Sequence, residues 1–287
     1  MEAGITYKGW LLHKVEGLNP VRNSALFENV VIITGASMGI GRELALQLAD
    51  KGAWLSLAAR DANMLEYVAA QCRQRGAKAI VIPTDVTIQS QCSHLIERTV
   101  SEYGRIDTLI NNAGLSMFAR FDEIQDLTIL DQTMKVNYFG SVYCTFYALP
   151  YLKATKGRIA AISSIAGKKG VPKKIGYSAS KHAMVGFFNT LRIECYDDGV
   201  SVTVIFPGYV ATAIRERMLG PDAKPFGKSP MHETGLMTGD ICASLVIKAI
   251  VRRKRELIMN PRSRIVLWLN FIAPELAEKF SRKAYKE

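Results

Sequence analysis

The sequence predicts an α/β protein: one doubly wound domain with a parallel seven-stranded sheet and helices on both faces. Three observations carry that expectation. Short β-branched and apolar runs alternate with amphipathic stretches of helical period, so the crossovers are right-handed and the strands parallel. The first strand is followed at once by a glycine-rich turn and a helix. The chain has 287 residues, 48% hydrophobic and 22% charged, which suits one large α/β domain.

Residues 30–33 are β-branched and apolar, typical of a strand buried on both faces. The turn after it, TGASMGIG, holds Gly35, Gly39 and Gly41, and Leu44, Ala45 and Leu48 then recur at helical spacing until Gly52. Residues 53–59 read as a second strand and 62–76 as a helix ended by Gly76. Residues 78–83 give the third strand, and 87–104 a helix with Cys92, Leu95, Ile96 and Val100 on its apolar side. The fourth strand is 105–110, and a long helical pattern over 127–152 carries Asn137. The fifth strand is 157–164, followed by the helix that bears Lys181. Strands at 201–206 and 256–260 complete the sheet. Residues 215–237 are rich in Pro and Gly, and a loop of that length reads as a functional one. The predicted organisation is an N-terminal extension (1–27), the main domain (28–260, with a substrate lid over about 209–238) and a basic, apolar C-terminal segment (261–287).

The candidate chemistry centres on YSASK. Tyr177 and Lys181 are four residues apart, on one face of a helix. A free phenol has a pKa of about 10. A neighbouring cation favours phenolate and lowers that value, giving a group able to give or take a proton in carbonyl–alcohol interconversion. Such a pair is common on helices, and three further features add to it. The turn of Gly35, Gly39 and Gly41 lets the backbone approach a pyrophosphate, which the helix N-terminus attracts. Its spacing is Gly-x-x-x-Gly-x-Gly rather than Gly-x-Gly-x-x-Gly. NNAG (111–114) follows the fourth strand, at the sheet edge where open α/β folds bind ligands, although Asn and Gly are also ordinary turn residues. Ser164 ends the fifth strand, a place where a serine often only satisfies backbone groups.

Together these residues resemble the short-chain dehydrogenase/reductase family over roughly residues 28–260, with wording similar to its hydroxysteroid-dehydrogenase-like branch. The resemblance implies a Rossmann fold and hydride transfer with a nicotinamide dinucleotide. It assigns Asn137, Ser164, Tyr177 and Lys181 to catalysis: Tyr177 moves the proton, Ser164 holds the substrate oxygen, Lys181 grips the nicotinamide ribose, and Asn137 holds a water leading from Lys181 to solvent. It assigns the cofactor to Gly35, Ser37, Met38, Gly39, Ile40 and Gly41 of the turn, Asp85 and Val86 near the adenine, and Asn111, Ala113 and Gly114 of NNAG. Pro207, Gly208, Val210 and Thr212 flank the nicotinamide, with Tyr177 and Lys181. Twenty positions past Gly39 stands Ala59, then Arg60, where an acid would mark NAD. Arg60 suits a 2′-phosphate, so NADP(H) is expected over NAD(H), although Asp61 adjoins it and Met38 occupies a position where NADP users often carry a second base.

The family branch implies a lipophilic carbonyl or alcohol substrate such as a steroid-, retinoid- or lipid-like ketone. A polar or acyl-thioester substrate stays open, as does a non-catalytic dinucleotide sensor. Net charge is +11, concentrated at 168–174, at 252–255 and in the tail, without a nucleic-acid-binding motif. These runs read as solvated faces. The five cysteines are scattered and form no zinc or disulfide pattern, which fits a reducing, cytoplasmic setting, and no histidine is assigned to a metal. The N-terminus lacks a signal-peptide layout and reads as an extension packing on the domain or on a second subunit. Residues 265–272 are apolar except Asn270, too short for a span of about 20 residues. With flanking Arg and Lys they fit either a peripheral contact with a membrane surface or a helix closing the pocket. A homodimer or homotetramer, paired through the helices bearing Asn137 and Lys181, is the family expectation.

Overall fold

Seven parallel strands stand in the order β3-β2-β1-β4-β5-β6-β7 in a computed structural model that describes residues 24–211, 216–227 and 236–284. The strands are β1 (Val30–Thr34), β2 (Trp54–Ala59), β3 (Ala79–Pro83), β4 (Thr108–Asn111), β5 (Arg158–Ile162), β6 (Ser201–Phe206) and β7 (Glu256–Ile258). Alternate residues of β1 face opposite layers. Val31 and Ile33 join the core under α1 (Gly39–Ala49), α2 (Ala62–Gln74) and α7 (Gly239–Val251). Ile32 joins the core under α3 (Gln89–Tyr103), α5 (Gly140–Ala154) and α6 (Ile175–Glu194). A strand covered on both faces has no solvated side, which is why these runs read as continuously apolar.

The fourth strand begins later than its apolar pattern. Asp107 just before it still bonds both neighbouring strands through its backbone, N to Val30 O at 3.0 Å and O from Arg158 N at 2.9 Å, while its Oδ2 accepts from Val30 N at 2.9 Å and Arg105 pairs with its other oxygen. The long helical pattern of 127–152 is interrupted. It is α4 (Thr128–Met134), one wide π turn (Lys135–Phe139) and then α5. Asn137 sits in that π turn, where the extra residue re-aims the side chain. Gly140 then brings α5 against β3's following loop, since a Cβ there would meet Val86 Cγ2 at 2.7 Å.

Two further helices, α8 (Pro261–Ile272) and α9 (Pro274–Ala284), follow β7. Most of the expected N-terminal extension lies outside the described residues, as do 212–215 and 228–235 of the expected lid. The remainder of that lid is docked. Leu219 N donates to Ser116 O at 3.0 Å, Phe118 N donates to Leu219 O at 2.9 Å, and the Phe118 and Phe226 rings meet at 6.2 Å. No helix among the described residues is long and apolar enough to cross a membrane.

Candidate active site

The main cleft lies where the sheet order reverses. β1 pairs with β2 on one side and β4 on the other, and the chain leaves these two strands toward opposite layers. The cleft measures about 1600 Å³. That exceeds the roughly 300–1,000 Å³ of one small-molecule pocket, so a dinucleotide and a second molecule fit together.

The glycine turn forms one end. Gly35 and Gly39 have φ of +66° and +55°, in the left-handed region glycine enters without strain. Ser37, Met38, Gly39 and Ile40 line the cleft. Met38 caps α1 with no side-chain bond, so the first N–H groups of the helix are left to an anion. Gly41 is not in the lining. A Cβ there would lie 2.2 Å from Gly35 O, so its place is to let α1 close on the turn. Asn112 holds the turn from the other side: its Nδ2 donates to Thr34 O at 2.9 Å and Gly35 O at 3.1 Å, and Ala113 and Gly114 beside it line the cleft. Asn111 departs from its expected cofactor contact. It is the last residue of β4, and the strand's alternation turns it away, so its Nδ2 donates to Thr145 Oγ1 at 3.0 Å and ties the sheet to α5.

Further along the same rim stand Arg60, Asp85 and Val86. Asp61 lines the cleft beside Arg60, and its Oδ1 accepts from Met64 N at 3.0 Å, capping α2. Arg60 is exposed at the cleft mouth. Asp85 Oδ1 accepts from Thr87 N at 2.9 Å and Thr87 Oγ1 at 2.8 Å, which fixes the carboxylate.

Ser164, Tyr177 and Lys181 meet at the other end, all in the lining. Ser164 leaves β5 in extended conformation, and its hydroxyl bonds the Tyr177 phenol. Lys181 Nζ donates to Ile162 O at 2.7 Å and lies 5.8 Å from the Tyr177 ring centroid. The expected electrostatics differ in one respect. Burial pushes the Tyr177 phenol up, with the Ser164 bond opposing it, and burial pushes the Lys181 ammonium down to about 7. Both groups sit where the charged form loses its water.

Asn137 lies behind this cluster and is fully buried. Its Oδ1 accepts from Leu115 N at 2.8 Å, and its Nδ2 donates to Leu115 O at 2.9 Å and Ser180 Oγ at 2.8 Å. Both amide hydrogens are therefore used. A Cβ on Gly114 would lie 3.4 Å from Asn137 Oδ1 and 3.8 Å from Lys181 Nζ, so the two groups converge over that glycine.

Val171, Pro172, Met218, Leu219, Val266 and Leu269 give the cleft apolar lining, interspersed with Lys169, Lys174, Arg217 and Arg262. Pro207, Gly208 and Val210 complete the lining near β6, whereas Thr212 lies outside the described residues. One side of α8 thus faces the cleft, while Ile265, Trp268, Phe271 and Ile272 of the same helix are exposed. Lys174 was not singled out by sequence. It is buried beside Tyr177, and the only hint of it is a lysine in a basic run that reads as a solvated face.

Residues 29–220 match a family model described as short chain dehydrogenase. The chain is 38% identical over 248 residues to "11-beta-hydroxysteroid dehydrogenase-like 4A" of Arabidopsis thaliana, covering 86% of this chain and 81% of that protein. A short chain dehydrogenase/reductase from Burkholderia phymatum, solved in complex with NAD, superposes with a TM-score of 0.78 at 25% identity, covering 88% of this chain and 95% of that one. An alcohol dehydrogenase from the archaeon Thermococcus sibiricus, complexed with 5-hydroxy-NADP, gives 0.71 at 26% identity, covering 80% and 95%.

Proposed function

The chain belongs to the short-chain dehydrogenase/reductase family, in its hydroxysteroid-dehydrogenase-like branch, and from that premise we propose that it is an NADP(H)-dependent oxidoreductase interconverting a carbonyl and an alcohol on a lipophilic substrate. The observation that carries the reading is the convergence of Ser164, Tyr177 and Lys181 on one cleft with the glycine turn. A bound nicotinamide supplies or accepts the hydride. Gly35, Gly39 and the N-terminus of α1 hold its pyrophosphate, and Asp85 and Val86 hold the adenine. Arg60 binds the 2′-phosphate, a role supported by its exposed guanidinium in the cleft lining after β2.

Ser164 donates to the substrate oxygen and keeps it within reach of Tyr177. Tyr177 donates its phenolic proton to that oxygen during reduction and removes it during oxidation. Lys181, when charged, stabilises the resulting phenolate. Asn137 keeps the segment at Leu115 in place, and the second lone pair of Oδ1 is where a water serving Lys181 would bond. The apolar lining residues Val171, Pro172, Met218, Leu219, Val266 and Leu269 support a lipophilic substrate.

Tyr177→Phe tests the reading. Dinucleotide binding is retained and turnover falls by about two to four powers of ten. A variant that turns over as fast as the parent removes Tyr177 as the proton donor. NADPH binding without oxidation by any of a panel of steroids, retinal, ketones, quinones and acyl thioesters would favour a dinucleotide sensor instead.

Two surfaces extend the proposal. Phe146 on α5 and Ile193 and Tyr196 on and just after α6 are exposed, which supports pairing of copies across these helices; sedimentation would read it. The exposed apolar residues of α8, flanked by Arg262 and Arg264, support contact with an anionic membrane surface, read by flotation with liposomes.

A further inference from the structure

The strap that follows NNAG passes beside Tyr177 and is tied down along its length, from Leu115 to Ala119. Asn137 holds Leu115 N at 2.8 Å and Leu115 O at 2.9 Å. Leu219 N donates to Ser116 O at 3.0 Å, and Phe118 N donates to Leu219 O at 2.9 Å, so the docked segment 216–227 brackets Met117 from both sides. Ala119 N donates to Lys173 O at 2.9 Å, two residues before α6 starts. Met117 is the middle of this strap and is fully buried.

Its thioether has a polar task there. Met117 Sδ accepts from Gly176 N at 3.2 Å. Gly176 is the second residue of α6, where backbone N–H groups have no partner within the helix. A side-chain oxygen from the residue before a helix often serves such amides. Here a sulfur 59 residues away in the chain does so. Sulfur is a weak acceptor, but a buried amide left with no acceptor at all is costly. Glycine permits the contact: a Cβ on Gly176 would lie 2.8 Å from Leu130 Cδ2 and Thr133 Oγ1 and 3.0 Å from Met117 Sδ.

Tyr177 is the next residue of α6, and its side chain packs against a small cluster of Met117, Ala119, Ile129 and Leu219. The sulfur bond therefore fixes the first turn of α6 one peptide away from the proton donor. The same methionine makes the parallel β-bridge to Leu219. Helix ends fray when nothing outside the helix holds them. A misplacement of about 1 Å at a reacting group can cost on the order of a hundredfold in rate. Met218 and Leu219 line the cleft, so a substrate that rests on them also rests on the segment that brackets Met117.

Resting on the reading of Tyr177 as the proton donor, we propose that Met117 is a positioning residue that couples docking of segment 216–227 to the placement of the Tyr177 phenol. Substrate held against Met218 and Leu219 keeps that segment on the strap. The thioether passes the constraint to Gly176 and so to Tyr177. Binding energy gained at Met218 and Leu219 is thereby used to orient the proton donor, which raises kcat rather than affinity alone.

The test uses the NADPH-loaded full chain and two substitutions, alone and together. Met117→Leu keeps the volume and removes the acceptor. Phe226→Ala loosens segment 216–227 by removing its ring contact with Phe118, and neither ring is part of the cleft lining. Hydrogen exchange of the Gly176 amide should quicken about threefold to tenfold in Met117→Leu. With a ketone that the parent reduces, kcat should fall about tenfold while KM for NADPH stays within about twofold. Phe226→Ala should show the same pair of changes in the parent and add little in the Met117→Leu background.

Gly176 exchange as slow in Met117→Leu as in the parent overturns the proposal. Faster exchange with kcat unchanged does so too, as does a Phe226→Ala effect that adds in full to that of Met117→Leu. If the parent reduces no ketone, exchange still decides. Quicker exchange at Gly176 in both variants, without addition in the double variant, upholds the coupling even as the reading of the reaction fails. Unchanged exchange in a parent that reduces a ketone removes the coupling and leaves the reductase. Should circular dichroism show Met117→Leu unfolded, Phe226→Ala carries the test and must quicken Gly176 exchange and lower kcat without raising the KM for NADPH.

Discussion

Replacing Lys181 with Met should make the stability of the fold less sensitive to alkaline pH, and the size of the effect follows from burial. The folded ammonium has been pushed from the usual lysine value of 10.5 down to about 7. Each unit of pKa corresponds to about 1.4 kcal/mol. Below pH 7 the lysine is charged in both states, and the folded protein bears the whole cost of holding that charge without water, on the order of 5 kcal/mol. Between pH 7 and 10 the folded protein releases its proton while the unfolded chain keeps it. The unfolded state then binds more protons, and stability rises with pH. Over the interval from pH 6 to pH 9 the gain is about 2–3 kcal/mol. Lys181→Met removes the titrating group and keeps most of its volume. The assay is urea denaturation of parent and variant at pH 6 and pH 9, without added dinucleotide. The parent should gain about 2–3 kcal/mol on the variant between the two. A difference that does not change with pH would mean that Lys181 titrates as an ordinary lysine, and the account of its desolvation would fail.

Three other substitutions bear on the site and the fold. Asn137→Ala leaves Leu115 N and O without their buried partners and should cost roughly 2–4 kcal/mol in a urea titration, together with lost turnover; an unchanged midpoint would refute its part in holding that segment. Gly41→Ala should lose about 1–3 kcal/mol and weaken dinucleotide binding, because its Cβ meets Gly35 O, whereas Gly186→Ala on the open face of α6 should gain about 0.5–1 kcal/mol. Arg60→Ala should raise the KM for NADPH by roughly tenfold or more while changing that for NADH little, and equal effects on the two would defeat the 2′-phosphate assignment.

The sequence was most legible where pattern is local. The strand at 30–33, the glycines after it and the pairing of Tyr177 with Lys181 are all short-range features, and each is found close to where its pattern put it. The fourth strand starts three residues later than its apolar pattern, and the bond that ties the Asp107 carboxylate to Val30 N depends on a neighbour far away in the chain. The π turn at Asn137 left no sign, because one extra residue in a helix barely alters the apolar period. Asn111 and Asn112 look alike in NNAG, and only the alternation of β4 sends one to α5 and the other to the glycine turn.

By itself the sequence determined the order of strands and helices, the parallel sheet and the position of the glycine turn, because hydrophobic period and glycine placement act over a few residues. The tertiary structure decided how the ionisable groups behave. Lys181 is a lysine like any other until β5 and α6 bury it, and Lys174 belongs to an unremarkable basic run until the segments around Ser116 and Met218 close over it. Desolvation comes from atoms distant in sequence, so charge state and facing direction are set only when the chain has packed.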